Sequence, residues 1–270
     1  MNIIESIRKR RSVRTFDASP IDSASMEKLS AFMADVKNPF DIPVTFKFLD
    51  AKEHGLTSPV VSGSDLYIGG KVKMCKNFSL AYGYSFEALV LYAQSLDIGT
   101  VWMGGTMNRP AFEKAMCLED GEVMPCTTPV GYAAKKMTLR ESMMRKGINA
   151  DSRFDFEKTF FSGSFATPLT KENAGRFLAP LEMVSLAPSA VNKQPWRVVV
   201  CGNTAHFYLK RSKGFGYDDA LDMQMIDVGI AQCHFALSAE ELGLKLEFVL
   251  SDPQLETPPD TVYAASYKLV

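Results

Sequence analysis

The sequence predicts an α+β protein built from two similar halves. Two observations carry that reading. Strand-like alternation and helical spacing interleave along the whole chain, and the order of elements restarts after the basic stretch Lys135, Lys136, Arg140, Arg145 and Lys146. Thr15-Phe16 returns as Thr159-Phe160 at an offset of 144, Pro20-Ile21 as Pro168-Leu169 at 148, and Leu96-Asp97-Ile98 as Leu242-Gly243-Leu244 at 146. Val130-Gly131-Tyr132 is echoed by Ala264-Ala265-Ser266-Tyr267. Offsets this close, in order, predict a diverged duplication with halves at residues 1–148 and 149–270 and a break near 146–151. The alternative is a chance likeness between two α+β halves.

Each element has its own local reason. Ile3, Ile4 and Ile7 make one side of a short first helix, with Arg8 and Arg11 projecting elsewhere. A second helix should start after Pro20, capped by Asp22 or Ser23, with Met26, Leu29, Met33 and Val36 at helical spacing. Pro39 and Pro43 end it, and Val44, Phe46 and Phe48 alternate as a half-buried strand. Residues 80–96 carry Tyr82, Phe86, Leu89, Ala93 and Leu96, a long helix apolar around its girth and therefore central. Thr100-Val101-Trp102-Met103 reads as a strand running into Gly104-Gly105, and Thr128-Pro129-Val130-Gly131-Tyr132 as another. In the second half a helix through Phe177, Leu181 and Val184 precedes the strand Val198-Val199-Val200, and Ile226, Ile230, Cys233 and Leu237 mark a late helix.

Composition narrows the function. Thirty Lys and Arg against 31 Asp and Glu leave a net charge of −1, which removes the general electrostatic case for nucleic-acid binding. The 11% aromatic content supplies the large apolar groups that drive collapse, which argues against disorder. Cys75, Cys117, Cys126, Cys201 and Cys233 are odd in number and never spaced C-x-x-C, so local spacing builds no zinc knuckle or redox dithiol. The amino terminus lacks an apolar leader core and no apolar run reaches 18 residues, so the expectation is a reduced, soluble, cytoplasmic protein.

Two motifs stand out. Arg10-Arg11-Ser12-Val13-Arg14 gathers three guanidiniums and a hydroxyl, donors suited to an anion because the planar fork matches phosphate bidentately. The competing reading is a solvated basic helix end. Ala187-Pro188-Ser189-Ala190-Val191-Asn192-Lys193-Gln194-Pro195-Trp196-Arg197 is stiffened by two prolines and offers mixed donors and acceptors, as a planar heterocycle requires. Its competing reading is a helix-to-strand connection anchored by Trp196. His54, His206 and His234, placed in a turn, a strand and a helix, lack the spacing for a metal site or a triad. Gly214-Phe215-Gly216 lacks the continuation of a dinucleotide fingerprint. The 14 methionines read mainly as filler, with Met103 and Met107 candidates for the border of a pocket.

Together, "RRSVRTF", "APSAVNKQPWRVVV", the long helix leading to "TVWMGG" and the strand ending "PVGY" resemble the FMN-dependent nitroreductase-like family over nearly the whole chain. The resemblance implies an α+β fold with a mixed, mainly antiparallel sheet covered by helices, normally an intertwined homodimer with two FMN sites. Here the arginine motif and the Gly-Gly sit in the first half and the Asn-x-Gln-Pro-Trp loop in the second. Lys37-Asn38-Pro39-Phe40-Asp41-Ile42-Pro43 stands where the first half would carry that loop, and Phe154-Asp155-Phe156-Glu157-Lys158 where the second would carry the arginines. The resemblance is therefore to fused members that mimic the dimer within one chain, and the complementary losses imply one FMN per chain. Such a chain would act as a monomeric pseudo-dimer, with further dimerisation left open.

By the same resemblance, Arg10 and Ser12 would hold the phosphate and ribityl end of a tightly bound FMN. Arg11 and Arg14 would lie near the pyrimidine carbonyls, and Pro188, Ser189 and Asn192 would line the ring. Gly104 and Gly105 would bring backbone N–H groups to the N5 edge, and Lys136 and Arg140 would add phosphate contacts. No side chain is expected to act as a catalytic acid or base. NAD(P)H would be a transient substrate, and the acceptor a small molecule of nitroaromatic or quinone type. The alternatives are an FMN store or sensor without turnover, and a structural protein that has lost the flavin.

Overall fold

A computed structural model describes residues 2–212 and 221–270, so the Gly214-Phe215-Gly216 stretch lies outside the described residues. The chain divides into two compact units. One comprises Lys9–Ala150, and the other Asp151–Val270 together with Asn2–Arg8.

In the first unit, α2 (Ser23–Asp35) starts at Asp22, whose carboxylate accepts the Ser25 N–H at 2.9 Å, and Leu29 is its buried face. Strand β1 (Val44–Asp50) puts Val44, Phe46 and Phe48 on the more buried face, as expected, while on the other face Thr45 and Lys47 are exposed and Leu49 is buried. Asp50 caps the short helix α3 (Ala51–His54), so His54 ends a helix rather than lying in a turn. Strand β2 (Leu66–Lys73) follows, then the long helix α4 (Phe78–Ser95), nearly all of it buried because every face is apolar or small. The remaining elements are β3 (Gly99–Thr100), α5 (Arg109–Met116), β4 (Glu122–Val123), β5 (Thr127–Gly131) and α6 (Leu139–Gly147). The sheet order is β1-β2-β5-β3, all pairs antiparallel, with β4 also on β2.

The expected strand over 100–103 is cut short, and Pro129 supplies the reason. Gly99 pairs with Gly131 and Thr100 with Val130, which would put Val101 opposite a residue without an N–H. The Val101 N–H turns to the Thr128 hydroxyl at 2.9 Å instead, and pairing resumes only as a bridge between Met103 and Thr127.

In the second unit, residues 2–8 form most of α1 (Ile3–Lys9), with Ile3 and Ile7 buried. The N–H groups of Ile3 and Ile4 point at the Glu241 carboxylate, an anion where the helix dipole favours one. Next come α7 (Phe156–Thr159), β6 (Phe160–Ser162), α8 (Leu178–Ser185), β7 (Trp196–Cys201), β8 (Thr204–Lys210), α9 (Met223–Glu241), β9 (Leu246–Val249) and β10 (Thr261–Leu269). The sheet runs β6-β7-β8-β10-β9, with β6 parallel to β7 and the other pairs antiparallel. The orders β1-β2-β5-β3 and β7-β8-β10-β9 follow one connection rule, and a long buried helix stands between the second and third of the four strands in each. The fold is thus α+β, with mainly antiparallel sheets and covering helices. No helix among the described residues is long and apolar enough to cross a membrane.

Candidate functional site

The arginine motif leaves α1 as an extended thread through the first unit. The Val13 N–H donates to the Thr100 carbonyl at 2.8 Å, Ser62 N–H to Arg14 at 2.9 Å, and Ala134 N–H to Thr15 at 3.0 Å. Val13 and Phe16 are buried, and glycines make room for both. A Cβ on Gly99 would stand 2.9 Å from the Val13 side chain, and one on Gly63 would stand 2.2 Å from the Phe16 carbonyl oxygen. Burial of Val13 and Phe16 fixes the residues between and beside them, so the register of the thread places the arginines.

Two buried carboxylates face these cations. Glu87, on α4, lies 3.8 Å from the Arg10 Nε and accepts the Trp102 indole N–H at 2.8 Å. Glu141, on α6, accepts the Thr15 hydroxyl at 2.7 Å and pairs with Arg11 at 3.4 Å. Its own N–H is capped by the Thr138 hydroxyl at 3.2 Å, so the first turn of α6 is fixed at the motif. Arg145 follows Glu141 by four residues on the same helix face, and its charge depresses both Arg10 and Arg14. Burial is the larger cause for each: it pulls both guanidiniums below their ordinary range, against the support of Glu87 for Arg10 and of Glu141 for Arg14.

The cluster is unfinished in a specific way. The Arg10 Nε and an Arg14 Nη are buried without a hydrogen-bond partner. Such donors are costly unless an acceptor arrives. Arg10, Arg11, Arg14 and Arg145 gather beside Glu87 and Glu141, and the bare donors of Arg10 and Arg14 suit an anion such as a phosphate monoester. The residues present therefore fit the phosphate end of FMN. Ser12 is bridged to Thr100 beside them. Lys136 and Arg140, by contrast, are exposed. Sequence reasoning missed Glu87, Glu141 and Arg145 as site residues. The i,i+4 pair Glu141 and Arg145 behind a Thr138 cap was the available signal for two of them.

The Gly-Gly turn belongs to the same unit. Trp102, held by Glu87, packs on Phe86 with ring centroids 4.5 Å apart. Met103 and Thr127 exchange backbone hydrogen bonds at 2.9 and 3.0 Å, and the Ser58 hydroxyl holds the Thr106 carbonyl at 2.6 Å. Gly105 is exposed, and a Cβ there would meet nothing within 4 Å, so the space before this peptide is open.

In the second unit the proline-flanked loop is strongly constrained. Val191, Asn192 and Gln194 have φ of +43°, +57° and +48°, the left-handed region that a β-branched valine avoids. Four contacts hold them there. The Ser189 hydroxyl accepts the Gln194 N–H at 2.8 Å, the buried Gln194 side chain accepts the Phe154 N–H at 3.0 Å, Asn192 donates to the Ser152 carbonyl at 3.1 Å, and both Asp227 oxygens lie 3.1 Å from the Ala190 N–H. Asp227 is buried on α9, and burial pushes its carboxyl well above the usual range. Trp196 is fully buried, so the core-anchor reading of that residue holds alongside the strained loop ahead of it. Pro188, Ser189 and Asn192 are partly exposed on this loop. His206 and His234 are used structurally, bonding Ser266 at 2.7 Å and the Met183 carbonyl at 2.9 Å.

Comparison with known proteins gives consistent matches. The family model described as "Putative TM nitroreductase" matches residues 2–239. A crystal structure of a "putative nitroreductase" from Thermotoga maritima MSB8 aligns over 100% of this chain and 93% of its own, at 20% identity and a TM-score of 0.61, and so shares the fold. An "FMN-dependent Nitroreductase" from Clostridium difficile R20291 aligns with 50% of this chain and 90% of its own, at 13% identity and a TM-score of 0.43. A "Nitroreductase with Bound FMN" from Bacteroides fragilis NCTC 9343 aligns with 52% and 92%, at 17% identity and 0.41. No curated protein matches significantly.

Proposed function

The chain belongs to the nitroreductase family described as "Putative TM nitroreductase", and from that membership we propose that it is an FMN-dependent oxidoreductase. The observation that carries the proposal is the arginine cluster, with the buried unpartnered donors of Arg10 and Arg14. Arg10 and Arg145 bind the phosphate, with Ser12 beside them; Arg14, expected near the pyrimidine carbonyls, is reassigned to the phosphate because Arg145 bears on it as on Arg10, and Arg11 stays at the more open edge. Gly104 and Gly105 present backbone to the flavin ring. Lys136 and Arg140, both exposed, are at most outer phosphate contacts.

Bound FMN would supply the redox chemistry, accepting hydride from NAD(P)H at N5 and passing it to a nitroaromatic or quinone-type acceptor. The protein's part is electrostatic. Guanidiniums held beside Glu87 and Glu141 need not reorganise when an anion arrives. No side-chain acid or base is assigned.

The test is a fluorescence titration of the purified chain with FMN, followed by anaerobic addition of NADH and then NADPH. Quenching and bleaching of the 450 nm band, at about that wavelength for a flavin in a polar site, are the expected results. Binding without bleaching by either nucleotide supports a flavin store or sensor instead, and no binding refutes the flavin reading.

A further inference from the structure

Helix α6 has two faces of different character. Glu141 and Arg145 stand four residues apart on the side that meets the arginine thread. Successive helical residues turn by about 100°, so Leu139, Met143 and Lys146 fall on the opposite side and Arg140 borders them. Leu139 and Met143 are 85% and 71% exposed, more than any other large apolar side chain among the described residues. Met137, just before the Thr138 cap, is 47% exposed. Lys135, Lys136, Arg140 and Lys146 are exposed around them, and none of the four pairs with a carboxylate among the described residues. Glu141 is the one acid in residues 133–150, and it is buried.

A single exposed aliphatic side chain means little, but three of them among four unpaired cations make a surface with a definite complement. The charge calls for an anionic partner. A nucleic acid fits poorly, because residues 133–150 include no aromatic side chain to stack on a base and the aliphatic ones would face phosphate and water. A protein partner would have to supply a pocket for side chains that stand proud of a convex helix. An anionic bilayer is fluid and needs no pocket. Its headgroups meet the cations, Leu139 and Met143 reach the acyl boundary, and the long Lys and Arg stems keep their charges at headgroup level.

We propose that α6, with the basic approach at Lys135 and Lys136, is an interfacial element that docks the chain on an anionic lipid surface by inserting Leu139 and Met143. No helix among the described residues is long and apolar enough to cross a membrane, so the contact is peripheral. The proposal stands on the outer face of α6 and does not depend on the flavin reading above.

The experiment is co-sedimentation of the full chain with vesicles of phosphatidylcholine, alone or with about 40 mol% phosphatidylglycerol. The variants are Leu139→Ser/Met143→Ser, Lys135→Gln/Lys146→Gln and, as a control for loss of two exposed cations elsewhere, Lys28→Gln/Lys76→Gln. The wild type should pellet with the anionic vesicles and not with phosphatidylcholine, and binding should fall steeply at about 0.5 M salt. Each cation at the surface contributes about fivefold, so Lys135→Gln/Lys146→Gln should bind about 25-fold more weakly. Loss of both inserted side chains should weaken binding at least about tenfold. The control should match the wild type. In Met143→Trp the indole fluorescence should shift to the blue when anionic vesicles are added. A wild type that stays in the supernatant, or one that binds phosphatidylcholine as well, overturns the proposal. Equal weakening of the control and Lys135→Gln/Lys146→Gln also overturns it. Undiminished binding of Leu139→Ser/Met143→Ser, with equal binding of the wild type to a DNA duplex, marks a general polyanion surface and overturns it too. If thermal unfolding shows that the serine variant does not fold, Met143→Trp decides: a blue shift supports insertion and an unmoved spectrum overturns it.

Discussion

Arg10 and Glu87 give the sharpest test of the phosphate site, because stability and binding should respond to them with opposite signs. The Arg10 side chain is 6% exposed and the Glu87 side chain 0%, yet Nε and Oε1 are 3.8 Å apart, beyond hydrogen-bonding distance. Two buried charges at that separation recover little of their desolvation cost. Replacing both in Arg10→Met/Glu87→Gln should leave the flavin-free protein equally stable or more stable by about 1–4 kcal/mol, as for other buried ion pairs exchanged for neutral groups. Gln still offers an oxygen to the Trp102 indole. One cation and one anion leave together, so the net charge of the cluster is unchanged and the field on an approaching anion hardly changes. What disappears is the direct donor. A hydrogen bond to a charged group contributes about 1.5–3 kcal/mol, so FMN affinity should fall about 10- to 100-fold. Riboflavin, which lacks the phosphate, should lose less than threefold. Fluorescence titration with both ligands and urea unfolding without ligand measure the three quantities. A parallel loss of FMN and riboflavin affinity, or no loss of either, would sink the assignment of Arg10 to the phosphate.

Asp227 gives a pH signature. Its carboxyl is raised by burial, so the folded state retains a proton that the unfolded chain releases above about pH 4. The stability this provides is complete below about pH 4 and declines, by at most about 1.4 kcal/mol per pH unit, until the folded value is passed. The advantage of Asp227→Asn over the wild type in urea unfolding should therefore grow between pH 5 and 7.5, and a constant gap contradicts the buried acid. Gly63 has φ +81° and would set a Cβ 2.2 Å from the Phe16 carbonyl oxygen, so Gly63→Ala should cost about 2–4 kcal/mol and weaken FMN binding by displacing the thread. Wild-type stability in urea would refute that clash. Fully loaded protein should hold one FMN per chain, read from flavin absorbance after heat release against amino-acid analysis, and a ratio near two would contradict it.

Much of the architecture was legible because it rests on local rules. Asp22 before an apolar periodic run gave the start of α2, and alternation of Val44, Phe46 and Phe48 gave β1. The long central helix was visible in its unbroken apolar girth, although it begins at Phe78, behind Asn77 in the left-handed region, rather than at Leu80. The strand at 100–103 failed because its end is set by Pro129 on another strand, a cross-strand fact that no run of residues records. The site divides in the same way. Donors were readable, since an arginine triplet declares itself, but their counter-charges were not. Glu87 looks like one polar residue in an apolar helix, and only the packing of α4 against the thread makes it the partner of Arg10. Lys136 and Arg140, which the resemblance suggested, are exposed, while Arg145, five residues beyond Arg140, lies on the face that meets the cluster. Helix phase separates Arg145 from Arg140 on α6.

The second unit explains why a phosphate grip is expected once. At the stretch corresponding to the arginine motif, Asp155 pairs with Lys158 at 2.7 Å on the surface, a charge pattern that offers an anion nothing. The arginines of this unit are dispersed, with Arg8 and Arg176 exposed. Arg153 donates to the Ser152 carbonyl at 2.6 Å, Arg211 pairs with Asp222 at 2.7 Å, and Arg197 donates to the Gln194 and Trp196 carbonyls while its guanidinium lies 5.7 Å from the Phe154 ring centroid. Arg197 is depressed by burial alone, with no second guanidinium adding to it, whereas Arg10 and Arg14 each bear the extra repulsion of Arg145. Crowded like charges are unfavourable in a free protein and become favourable only when an anion sits among them. The first unit maintains that crowding and the second does not. What the second unit maintains instead is a strained loop, with Val191 held at positive φ by Ser189, Gln194 and Asp227. Each unit thus stores its conformational or electrostatic cost in a different place, the first in crowded guanidiniums and the second in a strained loop.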